Sequence, residues 1–297
     1  MLSPFPKIFA LGTNYIKDIF NHPVEVSEKL DASQLVVGKI NGQLHMRSKG
    51  ATLYLDNPNK MFMEGISYFS ANEHLLPDNM VFYMEYFQKP KHNVLAYDKI
   101  PKNHCALFGV RDLTDKFYDN IEEWADKLNI DHVPIIYRGK IESPEQIYEL
   151  IERKSYLGGA DVEGVVVKNY HNPFLLGGQP IGVMAGKYVS EAFKEVHRSN
   201  WNKENKSKGR WEAFMDEFKT EARWEKAVQY MRDCNELEND PKDIGKLLKR
   251  IHQDIEEEEK EYIKEFLFQH FGKDLKRNST IGFPEWYKKK LLGYSEF

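Results

Sequence analysis

Lys39 leads the motif Lys39-Ile40-Asn41-Gly42, a lysine running into a glycine turn, and residues able to serve a reactive amine follow it at intervals. They are Glu85 in Phe82-Tyr83-Met84-Glu85, Phe108 in Leu107-Phe108-Gly109-Val110-Arg111-Asp112, Glu163 and Lys168 in Glu163-Gly164-Val165-Val166-Val167-Lys168, and Lys187 in Ala185-Gly186-Lys187-Tyr188. A free lysine has a pKa of about 10.4, so at neutral pH it is almost wholly protonated and does not attack. Burial and neighbouring cations lower that value and release the amine as a nucleophile, and Lys168 and Lys187 are cations of the required kind. Alone, the four-residue motif is an ordinary β-turn; its downstream company is what gives it chemical meaning.

The elements that must position these residues are legible in outline. Gln34 to Ile40, Gln43 to Arg47 and Ala51 to Leu55 are β-branched or alternating runs separated by Gly42 and Gly50, an antiparallel meander that sets Lys39 at a strand end. Phe62, Ile66 and Phe69 predict a helix within Lys60 to Leu76. Further strands are expected at Met80 to Phe87, Asn93 to Tyr97, Cys105 to Arg111, Val162 to Asn169 and Gly182 to Val189, and helices at Tyr118 to Leu128 and Ser143 to Arg153. The last of these opens with Ser143 as cap, Pro144 at the first helical position and Gln146 closing a capping box. From Trp211 to Phe271 apolar and aromatic residues recur only at helical intervals. The expected organisation is one domain over 1–195 and an all-helical domain over 196–297.

The order and spacing of the chemical motifs resemble the covalent lysine nucleotidyltransferases, most closely the phage-type RNA ligases of the RNA ligase 2 kind, over roughly residues 30–195. The resemblance implies an α+β fold: a nucleotidyltransferase (ATP-grasp-like ligase) domain of antiparallel sheets with flanking helices, followed by a small all-α C-terminal domain. It further implies that Lys39 attacks the α-phosphorus of ATP to give a lysyl-adenylate, that AMP passes to an RNA 5′-phosphate, and that a 3′-hydroxyl then closes the bond. Because phosphoryl transfer depends on positioning and charge stabilisation, the remaining residues take those roles. By the resemblance Glu163, with Asn41, holds Mg²⁺ or Mn²⁺; Glu85 binds the ribose hydroxyls; Phe108 stacks on adenine; Lys168 and Lys187 contact the α-phosphate as catalytic cations; Arg47 lies near the phosphates; and the backbone at Val37 and Gly38 meets the nucleotide. The chain departs from the family pattern at three places. Asn41 stands where aspartate is commonest, Ala185 where motif V has its first lysine, and Gly38 where RNA ligases often carry glutamate before the nucleophile.

The composition agrees with a packed soluble enzyme: 41% hydrophobic, 30% charged, and no apolar run approaching a membrane span. The expected setting is cytoplasmic, in a bacterial or phage-infected cell, as a monomer. Two cysteines, Cys105 and Cys234, exclude a disulfide scaffold or a cysteine zinc site. At a net charge of −4 the chain must hold a polynucleotide locally, and Lys194 to Arg210 offers six basic against two acidic residues around Trp201. Lys203, Lys206, Lys208 and Arg210 are the candidate contacts to RNA ends, whether in a nicked duplex or a broken loop. DNA ligases and GTP-using capping enzymes share the lysine chemistry, but their catalytic domain is followed by a β-rich module, whereas residues 196–297 read as helical. A non-catalytic nucleic-acid-binding relative is the remaining alternative, with Asn41 and Ala185 as its support.

Overall fold

The computed structural model describes residues 2–171, 174–176, 179–189, 210–216 and 218–291. The chain forms two compact units, one ending at Asp243 and one starting at Ile244.

The first unit is built on two sheets. The larger carries, in spatial order, β5 (Thr52–Leu53), β4 (Gln43–Ser48), β3 (Ser33–Ile40), β6 (Met80–Tyr86), β7 (Cys105–Asp112) and β8 (Phe117–Tyr118), with β9 (Asp131–His132) beside β7. The smaller carries β1 (Phe9–Ala10), β14 (Met184–Val189), β11 (Gly164–Asn169), β2 (Val24–Glu28) and β10 (Ile135–Gly139). Pairing is antiparallel except at β1–β14 and β7–β9. A separate ribbon joins β12 (Phe174–Leu176) to β13 (Gln179–Ile181). The expected α+β class with antiparallel sheets is the observed one.

One face of the larger sheet is closed by α1 (Met63–Ala71) and α2 (Ile121–Leu128). Ile66 and Phe69 of α1, and Ile121, Ala125 and Leu128 of α2, recur at helical spacing and are buried. Gly65 lets α1 approach closely, since a Cβ there would lie 2.9 Å from Leu35 and 3.0 Å from Tyr86. Phe62, Phe69, Phe82 and Tyr86 are fully buried, each contributing about 1.5–3 kcal/mol by removal from water. The opposite face looks across a cleft to the smaller sheet, and the segment from Leu2 to Phe5 fills one end of that cleft. There Phe5 meets Tyr83, Phe108 and Phe117 edge-on, with ring centroids 5.2, 5.2 and 5.4 Å away.

Helix α3 (Pro144–Ile151) starts at the expected proline, but Ser143 makes no side-chain cap; Gln146 accepts from the Glu142 N–H instead, at 2.8 Å. Two short helices, α4 (Arg210–Asp216) and α5 (Glu221–Asp233), complete the first unit. The second unit contains α6 (Ile244–Glu258), α7 (Lys260–Asn278) and α8 (Phe283–Leu291). Every described element after β14 is a helix, and the two compact units divide at 243/244. Composition marks where the helices begin; packing places α5 with the sheets. Asn93 to Tyr97 is not a strand, because the Val94 and Leu95 amides bond the Asp31 carboxylate, both at 2.8 Å, instead of a ladder partner.

Candidate active site

Alternation along β3 decides what its residues can reach. Successive side chains of a strand point to opposite faces. Leu35 packs against α1, so Val37 and Lys39 share that face, and Lys39 pairs with Glu73, just beyond α1, at 3.3 Å. The cleft face carries Gln34, Val36 and Gly38. Lys39 is thus turned away from Glu85, Glu163 and Lys168. Asn41 and Gly42, with φ of 52° and 75°, form a two-residue hairpin turn between β3 and β4, the positive-φ pair that an Asn-Gly sequence supplies. The motif that suggested a nucleophile is a hairpin signal, and Asn41 is exposed at its tip, away from the carboxylates. Val37 and Gly38 are paired on both sides, to β4 and β6; their backbone groups belong to the ladders and are not open to a base. A Cβ on Gly38 would meet the Met80 carbonyl at 2.9 Å and Leu2 at 3.0 Å.

The lysine that does enter the cleft is Lys29, immediately after β2. Its Nζ donates to both carboxylate oxygens of Glu163 at 2.7 Å. The cavity there, about 30 Å³, is lined by Lys29, Glu85, Phe108, Val166 and Lys168 among others. Sheet register explains the convergence. Lys168 pairs with Glu25 and Val166 with Ser27 across β2, and the same two residues pair with Ala185 and Lys187 across β14. Paired residues share a face, so Glu25, Ser27, Val166, Lys168, Ala185 and Lys187 all face the cleft. Glu85 and Tyr83 look back from β6. Phe108 is the extra residue of a bulge: Tyr83 pairs with Gly109 and Met84 with Leu107, leaving Phe108 unpaired. The bulge turns its ring into the cleft and frees its carbonyl, which accepts from Lys168 Nζ at 2.5 Å.

Lys168 is 1% exposed and remains compensated through Glu25, 3.2 Å away. The Glu25 carboxylate is itself held by Tyr170 at 3.1 Å and Arg138 at 3.0 Å. Arg47 extends on the cleft face of β4, its guanidinium bound to the carbonyls of Leu2, Ser48 and Lys49; burial lowers its pKa. Burial pushes the Glu85 carboxyl up to about 7, with Lys29 opposing and Asp31 and Glu163 adding. Burial also pulls Lys29 down, but the charge and hydrogen bonds of Glu163, with Asp31 and Glu85, outweigh it and leave the pKa above the ordinary lysine value. As the site stands, Lys29 is an ammonium clamped by a carboxylate.

Glu85, Phe108, Glu163, Lys168 and Lys187 are therefore gathered on one cleft, with Arg47 on the same face of the larger sheet. Lys39, Asn41, Val37 and Gly38 are not. Lys203, Lys206 and Lys208 lie outside the described residues, and Arg210 opens α4. The residues missed in the sequence were signalled there. Glu28-Lys29-Leu30-Asp31 has glutamate before the lysine and aspartate two positions after it, the two features lacking around Lys39. Val24-Glu25-Val26-Ser27 alternates as a strand should, yet all of β2 is buried, polar residues included.

The family model described as RNA ligase matches residues 22–183, more than half of the chain. The chain belongs to the RNA ligase family. Both lysines fall inside that span, so the choice between them rests on the geometry above. The fold is shared with a Naegleria gruberi RNA ligase with PPi, at 20% identity and a TM-score of 0.51, and with a point mutant of that enzyme with ATP and Mn, at 20% identity and 0.52. In both cases the match covers 66% of this chain and 58% of the other. Comparison with curated proteins finds no match. No helix among the described residues is long and apolar enough to cross a membrane.

Proposed function

We propose that this protein is an ATP-dependent RNA ligase whose nucleophile is Lys29. The observation that carries the reading is the Lys29–Glu163 pair at 2.7 Å, set in the cleft that also gathers Glu85, Phe108 and Lys168. The Naegleria structures, with PPi in one and ATP and Mn in the other, support the same nucleotide and a divalent ion here. Among the described residues there is no group of three or more His, Cys, Asp or Glu that would cage a metal. A divalent ion that arrives with nucleotide phosphates needs only one or two carboxylates, and Glu163 fits that need. Mg²⁺ or Mn²⁺ would supply charge neutralisation at the phosphates and compete for the oxygens that now hold Lys29 as an ammonium.

The chain's own residues then divide the work. Lys29 loses its proton and its amine attacks the α-phosphorus of ATP, forming the lysyl-adenylate and releasing pyrophosphate. Lys168 and Lys187 offset negative charge at that phosphorus from the smaller sheet. Glu85 accepts from the ribose hydroxyls, and Phe108 offers a ring face to the base. AMP next passes to an RNA 5′-phosphate, and a 3′-hydroxyl displaces it. RNA is held by basic residues after β14, Lys203, Lys206, Lys208 and Arg210, and by the second unit, where Lys288, Lys289 and Lys290 are exposed on α8. The setting is the cytoplasm of a bacterial or phage-infected cell.

The deciding experiment is incubation with α-labelled ATP and Mg²⁺ or Mn²⁺, followed by denaturing electrophoresis. Wild type and Lys39→Ala should carry label, and Lys29→Ala should carry none. Label on Lys29→Ala, or its loss from Lys39→Ala alone, would return the nucleophile to Lys39.

A further inference from the structure

The loop that follows Lys29 is gripped from two sides. On one side, Asp31 accepts from the N–H groups of Val94 and Leu95 and from Asn93 Nδ2, while its own N–H donates to Tyr97 Oη at 3.0 Å. On the other side stands the C-terminal end of α5, nearly 200 residues later in the chain. Gln229 Nε2 donates to the Ala32 carbonyl at 3.2 Å and to Ser33 Oγ at 3.3 Å. Ser33 Oγ donates to Asp233 Oδ1 at 3.1 Å and lies 2.9 Å from His92 Nε2. The Gln88 N–H donates to His92 Nδ1 at 3.0 Å, so Nε2 carries the imidazole proton and donates to Ser33. Every proton in this chain has one acceptor, and the single Ser33 hydrogen has nowhere to go but Asp233. Burial lowers the His92 pKa to about 4, with Asp31 opposing and Arg232 and Lys89 adding, which keeps the ring neutral as the relay requires.

The same end of α5 is tied down through its backbone as well. The Asp233 carbonyl accepts from Asn59 Nδ2 at 3.1 Å and from Ser48 Oγ at 3.4 Å. Ser33 and Ser48 are buried, as is Asp233, so these bonds are made out of water, where an unmatched polar group is costly.

We propose that α5 is part of the adenylation machinery, with Asp233 and Gln229 as positioning residues that hold residues 31–33, and through them Lys29, in reach of the nucleotide. The proposal rests on the reading of Lys29 as nucleophile. It makes residues beyond 195 necessary for the first chemical step, and not only for gripping RNA.

The test is single-turnover labelling with α-labelled ATP across a range of concentrations, using the full chain. Asp233→Asn keeps an oxygen where Ser33 donates and should label at close to the wild-type rate. Asp233→Ala and Gln229→Ala should slow labelling at saturating ATP by about 10–100-fold, the scale of a displacement near 1 Å, with half-saturating ATP unchanged. Should Asp233→Ala fold poorly, Gln229→Ala, altered at a half-buried position, carries the comparison. Amide hydrogen exchange at residues 31–33 is measured on the same proteins and should accelerate in both alanine variants. Wild-type labelling rates in those variants, or an Asn variant as slow as the Ala variant, would overturn the proposal. If the wild type takes no label, the functional reading fails by itself, and unchanged exchange at 31–33 would then separately remove the positioning role.

Discussion

Replacing Asp233 by asparagine removes a buried charge while keeping its shape, and the structure sets both sign and size. Asp233 is 5% exposed, and burial holds its carboxyl at about 7 against an ordinary 3.8, with the Ser33 hydrogen bond and the charges of Arg232 and Lys49 opposing. Below pH 3.8 the group is neutral whether the chain is folded or not. As pH rises towards 7 the unfolded chain ionises first, so stability falls across that window and stays lower above it. Three pKa units correspond to about 4 kcal/mol. The Ser33 hydrogen bond is already contained in that net shift. The expectation is that Asp233→Asn is up to about 4 kcal/mol more stable well above pH 7, or about 8–16 °C in Tm for a unit of this size. His92 runs the other way: its depressed pKa means stability present above 6.5 and lost as pH falls towards 4. The two slopes oppose each other in the wild type, so the informative quantity is the difference between melts. Thermal melts of both proteins from pH 4 to 8.5 should show a gap near zero at pH 4 that opens to its full size by pH 8. A gap independent of pH, or a wild type more stable than the variant at pH 8, would refute the reasoning.

Other expectations follow from single contacts. Glu25→Ala leaves the Lys168 ammonium buried without its partner, a loss of about 3–5 kcal/mol, readable as a lower midpoint in urea unfolding. Phe5→Ala opens a cavity against Tyr83, Phe108 and Phe117 and should cost about 3–5 kcal/mol in the same assay. Asn41→Ala forces a residue of lower turn propensity into positive φ, costing about 1–2 kcal/mol, yet should leave the metal concentration needed for labelling unchanged, because the side chain sits at a hairpin tip.

Much of the site could be read from residue order. Glu85, Phe108, Glu163, Lys168 and Lys187 lie in runs whose strand character is local, and the structure brings them to one cleft. Two lysines ten residues apart, Lys29 and Lys39, stand in the same β-rich stretch, and sequence alone does not say which of them enters the cleft. Asn41-Gly42 drew attention to the later one through a turn preference that has nothing to do with catalysis. The strand just before the earlier one alternates polar and apolar residues, yet its glutamates and serine are buried beside Lys168 and the neighbouring strands.

Local chemistry therefore determined the family, the class of fold, the succession of strands and helices, and the inventory of cations and carboxylates. Tertiary structure decided which face of β3 looks into the cleft, that the β7 bulge aims Phe108 inward, and that α5 closes on Ser33 from 200 residues away. The physical reason is the same in each case. A side chain's chemical type is carried by one residue, but its direction depends on strand pairing, where a shift of one position turns every side chain to the opposite face.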